Sequence, residues 1–597
     1  MHTADWIVLT LYLAATVGIG VLLGKLVKTP ADLFAAGGRS PWWASGLSAF
    51  MTMFSANTFV VWGGMAYEHG LVAILVNLCY GVAALLAGYT VAEKWKRLGI
   101  RTPAEFVERR FGKGALHFYT WSMMIFRLVG SAGALYAIST LTVAVMRGSD
   151  TPAEVGGMPP ELVTAILIFG AVVVIYTMIG GLWAVLMTDV IQFIVLNVAV
   201  IFVIPLILFN IGGFGGFIAQ MPEGFLSPTS GPKYTWMFLF GWVAIHYFMI
   251  GAEFAFVQRY LCVPTPRDAR RGTLLFGALY LVSPFLWLLP PLLWRVQSPI
   301  PENATPEMIR ILKEEAYIKS CRHVLPIGMV GLMMAAMFSA TASLISSQLN
   351  VFSSVLAQDI YRPLRKKITD SELLRAGRLF TLLLGGAIAG IALLIPRLGG
   401  AEKVIISVTE LMVVPLLAPI LFGLLSRRLD HRALWWSAGV CIPLGLALKF
   451  GFTAPRVDGT GAGFLHELAS HGGFWEWLSY NSITLVGVLL PLAIVLLCRL
   501  RFKDDMRGNV AAVFNRQAQD DEESERQGGC KPPPRSSDTL PQQIVGGSLL
   551  ALGLGMLALL PVNPGRQISI IIFASALLTI GFGIFYFARR RDTQSHD

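Results

Sequence analysis

Residues 335–350 read Ala-Ala-Met-Phe-Ser-Ala-Thr-Ala-Ser-Leu-Ile-Ser-Ser-Gln-Leu-Asn, a run of hydroxyls and alanines inside an apolar stretch, 326–355, long enough to cross a bilayer. A hydroxyl facing lipid has no water to bond. Ser339, Thr341, Ser343, Ser346 and Ser347 are therefore expected to face other helices, a cavity or a bound ion. Ala336, Ser339, Ala340 and Ser343 recur at i, i+3, i+4 and i+7, on one stripe of a helix. Two readings fit this stripe: small residues that let another backbone come close, or one wall of a cation site.

The rest of the chain is membrane protein too. Hydrophobic residues make up 55% of the 597 and charged residues 14%, with a mean hydropathy of +0.64. Apolar windows of about 20 residues recur roughly fifteen times, from 5–27, 43–67 and 70–92 to 544–562 and 568–588. The net charge of +11 raises the question of nucleic acid, but its distribution answers for a lipid bilayer and no nucleic acid. Basic residues gather in alternate loops: Lys94, Lys96, Arg97, Arg101, Arg109 and Arg110; then Arg259, Arg267, Arg270 and Arg271; then Arg362, Arg365, Lys366 and Lys367. This bias predicts a multi-pass protein of the cell membrane with its N-terminus outside and Arg589-Arg590-Arg591 in the cytoplasm. The first apolar segment lacks a basic flank and a small-residue cleavage site, so it reads as a retained helix.

Residues 501–543, with Asp520-Asp521-Glu522-Glu523 and Pro532-Pro533-Pro534, read as a cytoplasmic, disordered linker before a final pair of spans. Residues 301–323 carry a mixed-charge helical pattern and form a candidate lid. A helix-start signal at Thr102-Pro103 opens a short amphipathic surface helix. The six cysteines show no pairing or metal-ligand spacing. No nucleophile–base pair, phosphate loop or metal cluster points to an enzyme.

Several polar residues stand where a membrane makes them costly. Asp189, after Gly180-Gly181-Leu182-Trp183 and one turn before Gln192, reads as a helix cap, a functional carboxylate, or both. The span 43–67 holds Ser48, Thr52, Ser55, Asn57 and Thr58, then Gly63-Gly64, the pattern of a helix that breaks mid-membrane or merely kinks. Arg127 falls about twelve residues into its span, near the bilayer middle. Glu253 and Glu410 are the acids that could answer it, either as a structural pair or as support for an arginine that holds a substrate carboxylate.

Five segments in order resemble the sodium/solute symporter family, over roughly residues 5–450. They are Ala36-Gly37-Gly38-Arg39-Ser40-Pro41-Trp42-Trp43, Thr102 through Phe111, Gly180 through Gln192, Gln258-Arg259-Tyr260 with Ala269-Arg270-Arg271-Gly272, and Ala335-Ala336 through Asp359-Ile360-Tyr361. The resemblance implies an all-α integral membrane protein with a LeuT-type core of two inverted five-helix repeats and about 15 transmembrane helices. The parts are then an N-terminal helix and loop (1–42), the repeats (43–210 and 211–425), two further helices (426–500), the linker (501–543) and a C-terminal pair with its tail (544–597).

The same resemblance implies a sodium site built from backbone carbonyls at Met51, Phe54 and Ala336 and the hydroxyl of Ser339. Ala340 stands where many relatives carry Ser or Thr, which leaves the cage of about five or six oxygens one ligand short. Asp189 and Ser343 match a second ion site of some relatives. Three outcomes stay open: sodium held weakly, sodium held nearer Asp189, or proton coupling through Glu253. Implied substrate positions are Asn57, Thr58, Asn77, Tyr80, Tyr280 and Glu253. Sugar-binding relatives carry a Glu/Gln pair in place of Asn57-Thr58 and a lysine in place of Tyr280, so a simple glucose carrier is not expected. Arg127 lies where carriers of acidic sugars place a carboxylate-binding arginine. The sequence thus predicts sodium-coupled symport of a small polar solute, with a lean to a carboxylate such as a sugar acid. The alternatives are a proton-coupled or ion-independent carrier and a non-transporting solute sensor.

Overall fold

A helix lined with serine and alanine is stable in a membrane only where other helices enclose it. The computed structural model describes residues 2–24, 40–100, 102–147, 159–365, 368–395, 401–426, 429, 431–452, 465–470, 473–501, 539–564 and 567–596. Most of the linker 501–543 and the first motif's Ala36–Arg39 lie outside these residues. The described chain is helical, with one isolated bridge between Ser230 and Tyr234.

After α1 (Thr3–Gly24) comes a broken span: α2 (Trp42–Met53), then residues 54–57, a π-turn at Thr58–Trp62, and α3 (Gly63–His69). The two halves differ in direction by 61°. Next come α4 (Leu71–Thr90), a short surface helix α5 (Pro103–Phe111), α6 (Lys113–Arg147) and α7 (Pro160–Asn210). The last holds two apolar spans, Pro160–Ile179 and Leu186–Asn210. A second broken span follows, α8 (Trp236–Ala252) and α9 (Phe254–Leu261), bent by 49° at Glu253. Then come α10 (Pro266–Trp287), α11 (Leu289–Gln297), α12 (Pro306–Val324) and the hydroxyl helix α13 (Met329–Val355). The described chain closes with α14 (Asp370–Ala392), α15 (Ala401–Leu425), α16 (Arg432–Gly451), α17 (Gly473–Thr484), α18 (Leu490–Arg501), α19 (Thr539–Leu557) and α20 (Gln567–His596).

Among the described residues, eight helices are long and apolar enough to cross a membrane, or up to 11 if each of three bent pairs counts as one span. Four shorter apolar helices accompany them: Thr3–Thr16, Leu411–Leu425, Arg432–Leu448 and Val545–Leu557.

Every residue of α13 is buried. The helix packs against α1, α2, α6, α7 and α14, so no side of it meets lipid. Close approaches hold the core together. A Cβ on Gly46 of α2 would stand 2.5 Å from the Gly272 carbonyl oxygen, and one on Gly272 would stand 2.8 Å from that of Trp42. Only glycine at both positions lets α2 and α10 meet at backbone distance. The expected outer helix is α12, tied to α3 by the Lys313–Glu68 ion pair. The pair Gly63-Gly64, a candidate breakpoint by sequence, lies inside α3, and Gly64 instead makes room for Lys313. The break comes earlier, at Phe54.

The start of α13 is clasped from both chain ends. Asp5 Oδ1 accepts the N–H groups of Gly328 (2.8 Å) and Gly331 (3.0 Å), satisfying amides that a helix start leaves open. Asn563, in the turn between α19 and α20, accepts from Ile327 N–H (2.8 Å) and donates to the Ile327 and Leu559 carbonyls. These bonds dock the C-terminal pair onto the core. Asn563→Ala leaves the part-buried Ile327 backbone groups without this partner and is expected to destabilise the protein by about 1 kcal/mol. Thermal unfolding of the purified full-length chain reads this as a lowered midpoint, and an unchanged midpoint would mean that water replaces the clasp.

Candidate functional site

The broken span α2–α3 creates the first unusual chemistry. In an unbroken helix the amides of Ser55, Ala56 and Asn57 would bond the carbonyls of Met51, Thr52 and Met53. Here Phe54 is extended (φ −95°, ψ 134°), and those amides turn to hydroxyls instead. Ser55 N–H donates to Thr58 Oγ1 (3.4 Å), Ala56 N–H to Thr341 Oγ1 (2.9 Å) and Asn57 N–H to Ser55 Oγ (3.2 Å). Met51 O keeps one short-range bond, from Phe54 N–H, and among the described residues no side chain donates to these carbonyls. A helix C-terminus with open carbonyls favours a cation.

The second break differs. The carbonyls of Ile250, Gly251 and Ala252 receive Tyr260 Oη–H (2.6 Å), Trp95 Nε1–H (2.8 Å) and Tyr119 Oη–H (3.4 Å). Glu253 itself caps α9, accepting Ala255 N–H. Its carboxylate, fully buried, pairs with Arg127 Nη2 of α6 at 2.7 Å. Of the two acids considered for Arg127, Glu253 is therefore the partner; the Glu410 side chain lies outside the described residues.

Between the breaks lies a cavity of about 100 Å³. Of the expected substrate residues, Asn57, Thr58, Tyr80 and Arg127 line it together. Among the described residues, Arg127 Nε, Asn57 Oδ1, Ser131 Oγ and Trp242 Nε1 are buried there without a hydrogen-bond partner in bonding geometry. Glu253 stands behind Arg127 rather than in the lining. Tyr280 backs the wall, its ring 5.3 Å from Tyr80 and 4.8 Å from Phe50. Asn77 is not in the lining, and its amide donates to the Ala73 carbonyl within α4. The sequence reading missed Ser131 and an aromatic wall of Trp62, Trp242 and His246, in which the His246 ring lies 3.9 Å from that of Tyr80. Nothing distinguished Trp242 and His246 from the apolar run of α8 except that His246 sits inside it.

The expected ion ligands separate into two groups. Ala56 bonds Thr341, and Thr52 Oγ1 contacts Ser347 Oγ at 3.3 Å, so the break stands level with residues 341–347 of α13. At about 1.5 Å per residue, Ala336 lies about 7 Å along the axis from Thr341. Ser339 turns the other way and donates its hydroxyl to Tyr12 of α1. The structure thus does not bring Ala336 and Ser339 to Met51 and Phe54. Thr341, which helical geometry set apart from the stripe, is the hydroxyl that meets the break.

Asp189 and Ser343, by contrast, come together beside α2. Asp189 is fully buried and its Oδ2 accepts the Ser48 hydroxyl. The Ser343 hydroxyl lies beside it, yet among the described residues neither Asp189 Oδ1 nor Ser343 Oγ meets a partner in bonding geometry, and both ends of the Gln192 amide are equally unmet. Unmet buried oxygens of this kind fit a hard cation. Arg259, counted by sequence among loop charges, is 1% exposed and bonds Ser48 and Ser347 within the same nest.

Comparison with known proteins bears on this geometry. The model of the "Sodium:solute symporter family" matches residues 33–438. The sodium/sialic acid symporter NanT of Aliivibrio fischeri is 29% identical over 72% of this chain and 85% of its own length. The sodium/glucose cotransporter of Vibrio parahaemolyticus is 27% identical over 75% of this chain and 85% of its own. Among solved structures, a substrate-bound, outward-open Na+-coupled sialic acid symporter superposes with a TM-score of 0.63 at 22% identity, covering 84% of this chain and 99% of that one. At that identity the likeness speaks for the fold.

The Arg127–Glu253 pair sits where an unpaired charge is expensive. Glu253→Ala is expected to lower stability by about 3–5 kcal/mol, because it strands a buried guanidinium, whereas the double variant Arg127→Met/Glu253→Leu costs less. Unfolding midpoints of Arg127→Met, Glu253→Leu and the double variant give the coupling directly.

Proposed function

Since the chain belongs to the sodium:solute symporter family, we propose that it is a secondary active transporter that couples inward sodium movement to uptake of a small, carboxylate-bearing polar solute such as a sugar acid. The observation that carries the solute class is Arg127. Glu253 holds one of its amino groups, and Nε stays unpartnered at the cavity wall. A carboxylate is the group that planar guanidinium N–H donors best recognise. Asn57 Oδ1, an acceptor without a donor, suits a solute hydroxyl, and Trp62, Tyr80 and Trp242 offer ring faces and edges to its less polar side.

The ion reading rests on oxygens. Met51, Thr52 and Met53 carbonyls, Asp189 and Ser343 make a donor set of the hardness sodium requires. Because Ser339 is committed to Tyr12 and Ala340 carries no hydroxyl, the ion belongs nearer Asp189 than to the cage first expected. Relatives named as sodium symporters, with sialic acid or glucose as cosubstrate, support the coupling ion. Glu253, the group considered for proton coupling, is engaged with Arg127 and with the start of α9.

Two broken spans at corresponding places, 42–69 and 236–261, support inverted repeats of about 43–210 and 211–425 that rock about the midplane. The expected fifteen crossings need the four shorter apolar helices each to span. Loop charges support an outer N-terminus and a cytoplasmic tail. Sodium near α2 and solute at its end would each order the same break, so each raises the other's affinity.

Counterflow in liposomes tests this. Labelled sugar acids are expected to exchange in sodium and to bind more weakly in choline; solute affinity independent of sodium sinks the coupling, and no exchange points to a sensor. Arg127→Gln is expected to weaken a carboxylate solute about 10–100-fold, the worth of a charge-assisted hydrogen bond, while its neutral amide analogue changes little.

A further inference from the structure

We propose that Arg259 is a tethered cation: its guanidinium occupies the Asp189 nest when no free cation is bound there and withdraws when one enters. The inference rests on the sodium reading above. Arg259 lies on α9, just past the second break, and is 1% exposed. Nη2 donates to Ser347 Oγ (2.6 Å) and Ser48 Oγ (3.2 Å), Nε to Ser48 Oγ (3.3 Å), and Nη1 to the Ala255 carbonyl (3.1 Å) and Gln258 Oε1 (3.4 Å). No direct bond joins it to a carboxylate. Its charge reaches Asp189 through one shared group, the Ser48 hydroxyl, which accepts from the arginine and donates to Asp189 Oδ2.

This is an unusual way to hold a buried arginine. A structural guanidinium is expected in fork contact with a carboxylate, bonded through two parallel N–H groups. Here the lone pairs of Ser48 and Ser347 face a positive group, while Asp189 Oδ1 and the neighbouring Ser343 Oγ have no partner in bonding geometry among the described residues. The nest therefore holds one cation on hydroxyls and keeps unmet oxygens for another. Two positive charges in one nest repel in a medium of low dielectric. Arg259 and a free cation are then alternatives, and α9, hinged at Glu253, carries the arginine in and out. Ion occupancy at Asp189 becomes movement of the second broken span.

The test is a sodium titration of the full-length protein in detergent at constant ionic strength against choline, read as the unfolding midpoint. The wild type is expected to gain stability with sodium, and Arg259→Gln is expected to reach half-saturation at tenfold lower sodium or less. Asp189→Asn added to that variant should abolish the gain. A half-saturation in Arg259→Gln equal to or above that of a responding wild type overturns the inference and leaves sodium coupling intact. No response in either protein overturns both. Labelling by phenylglyoxal decides the case in the wild type even if the variant does not fold. Mass spectrometry should show Arg259 modified several-fold faster in sodium than in choline, and equal rates overturn the proposal.

Discussion

A transmembrane helix with no lipid-facing side has to be enclosed on every side, and Met329–Val355 imposes that constraint on this protein. Its hydroxyls cannot be left to hydrocarbon, so the neighbours are fixed by what each hydroxyl needs. Thr341 takes an amide from the first break, Ser347 takes a guanidinium proton, and Ser339 reaches Tyr12 on the N-terminal helix. Even the end of the helix is specified, since Asp5 and Asn563 complete its first turn from opposite ends of the chain. Stability and site are therefore one problem here. The bonds that bury α13 also set the level at which α2 breaks against it.

The two breaks resemble each other in position and differ in chemistry. Both interrupt a helix near a polar group and release carbonyls. At α8 those carbonyls are answered by Tyr260, Trp95 and Tyr119, so that half-helix is closed to ions. At α2 the amides have gone to hydroxyls and the carbonyls have gained no side-chain donor. Two similar breaks thus yield an asymmetric site: a cation-favouring end at α2, and at α8 a carboxylate, Glu253, turned to hold Arg127 at the cavity wall.

Much of this was legible in the sequence, because a bilayer makes polar residues conspicuous. The hydroxyl run 335–350, the polar cluster of 48–58 and the charge of Arg127 each marked a real feature, and Glu253 proved to be the answering acid. Rotation and depth were not legible. Ala336 and Ser339 share a stripe with Ser343, yet Ser339 faces α1 while Ser343 stands beside Asp189, and sequence spacing alone does not tell which neighbour a stripe will meet. Arg259 was hidden for another reason. It stands in sequence near Arg267, Arg270 and Arg271, which are exposed on the first turns of α10, and only the second break at Glu253 turns it inward.

Two sets of opposite charges flank α9, Arg127 with Glu253 at its start and Arg259 with Asp189 near its end. On the proposed function, a sodium ion that reached Asp189 before Arg259 withdrew would make the second set positive. On the same reading, a solute carboxylate at Arg127 would make the first set negative. Each cargo alone unbalances its own set, while both together leave the core neutral. With those two occupants, electrostatics would favour the empty and the doubly loaded protein over either half-loaded form, which is what a symporter requires of its ion and its solute.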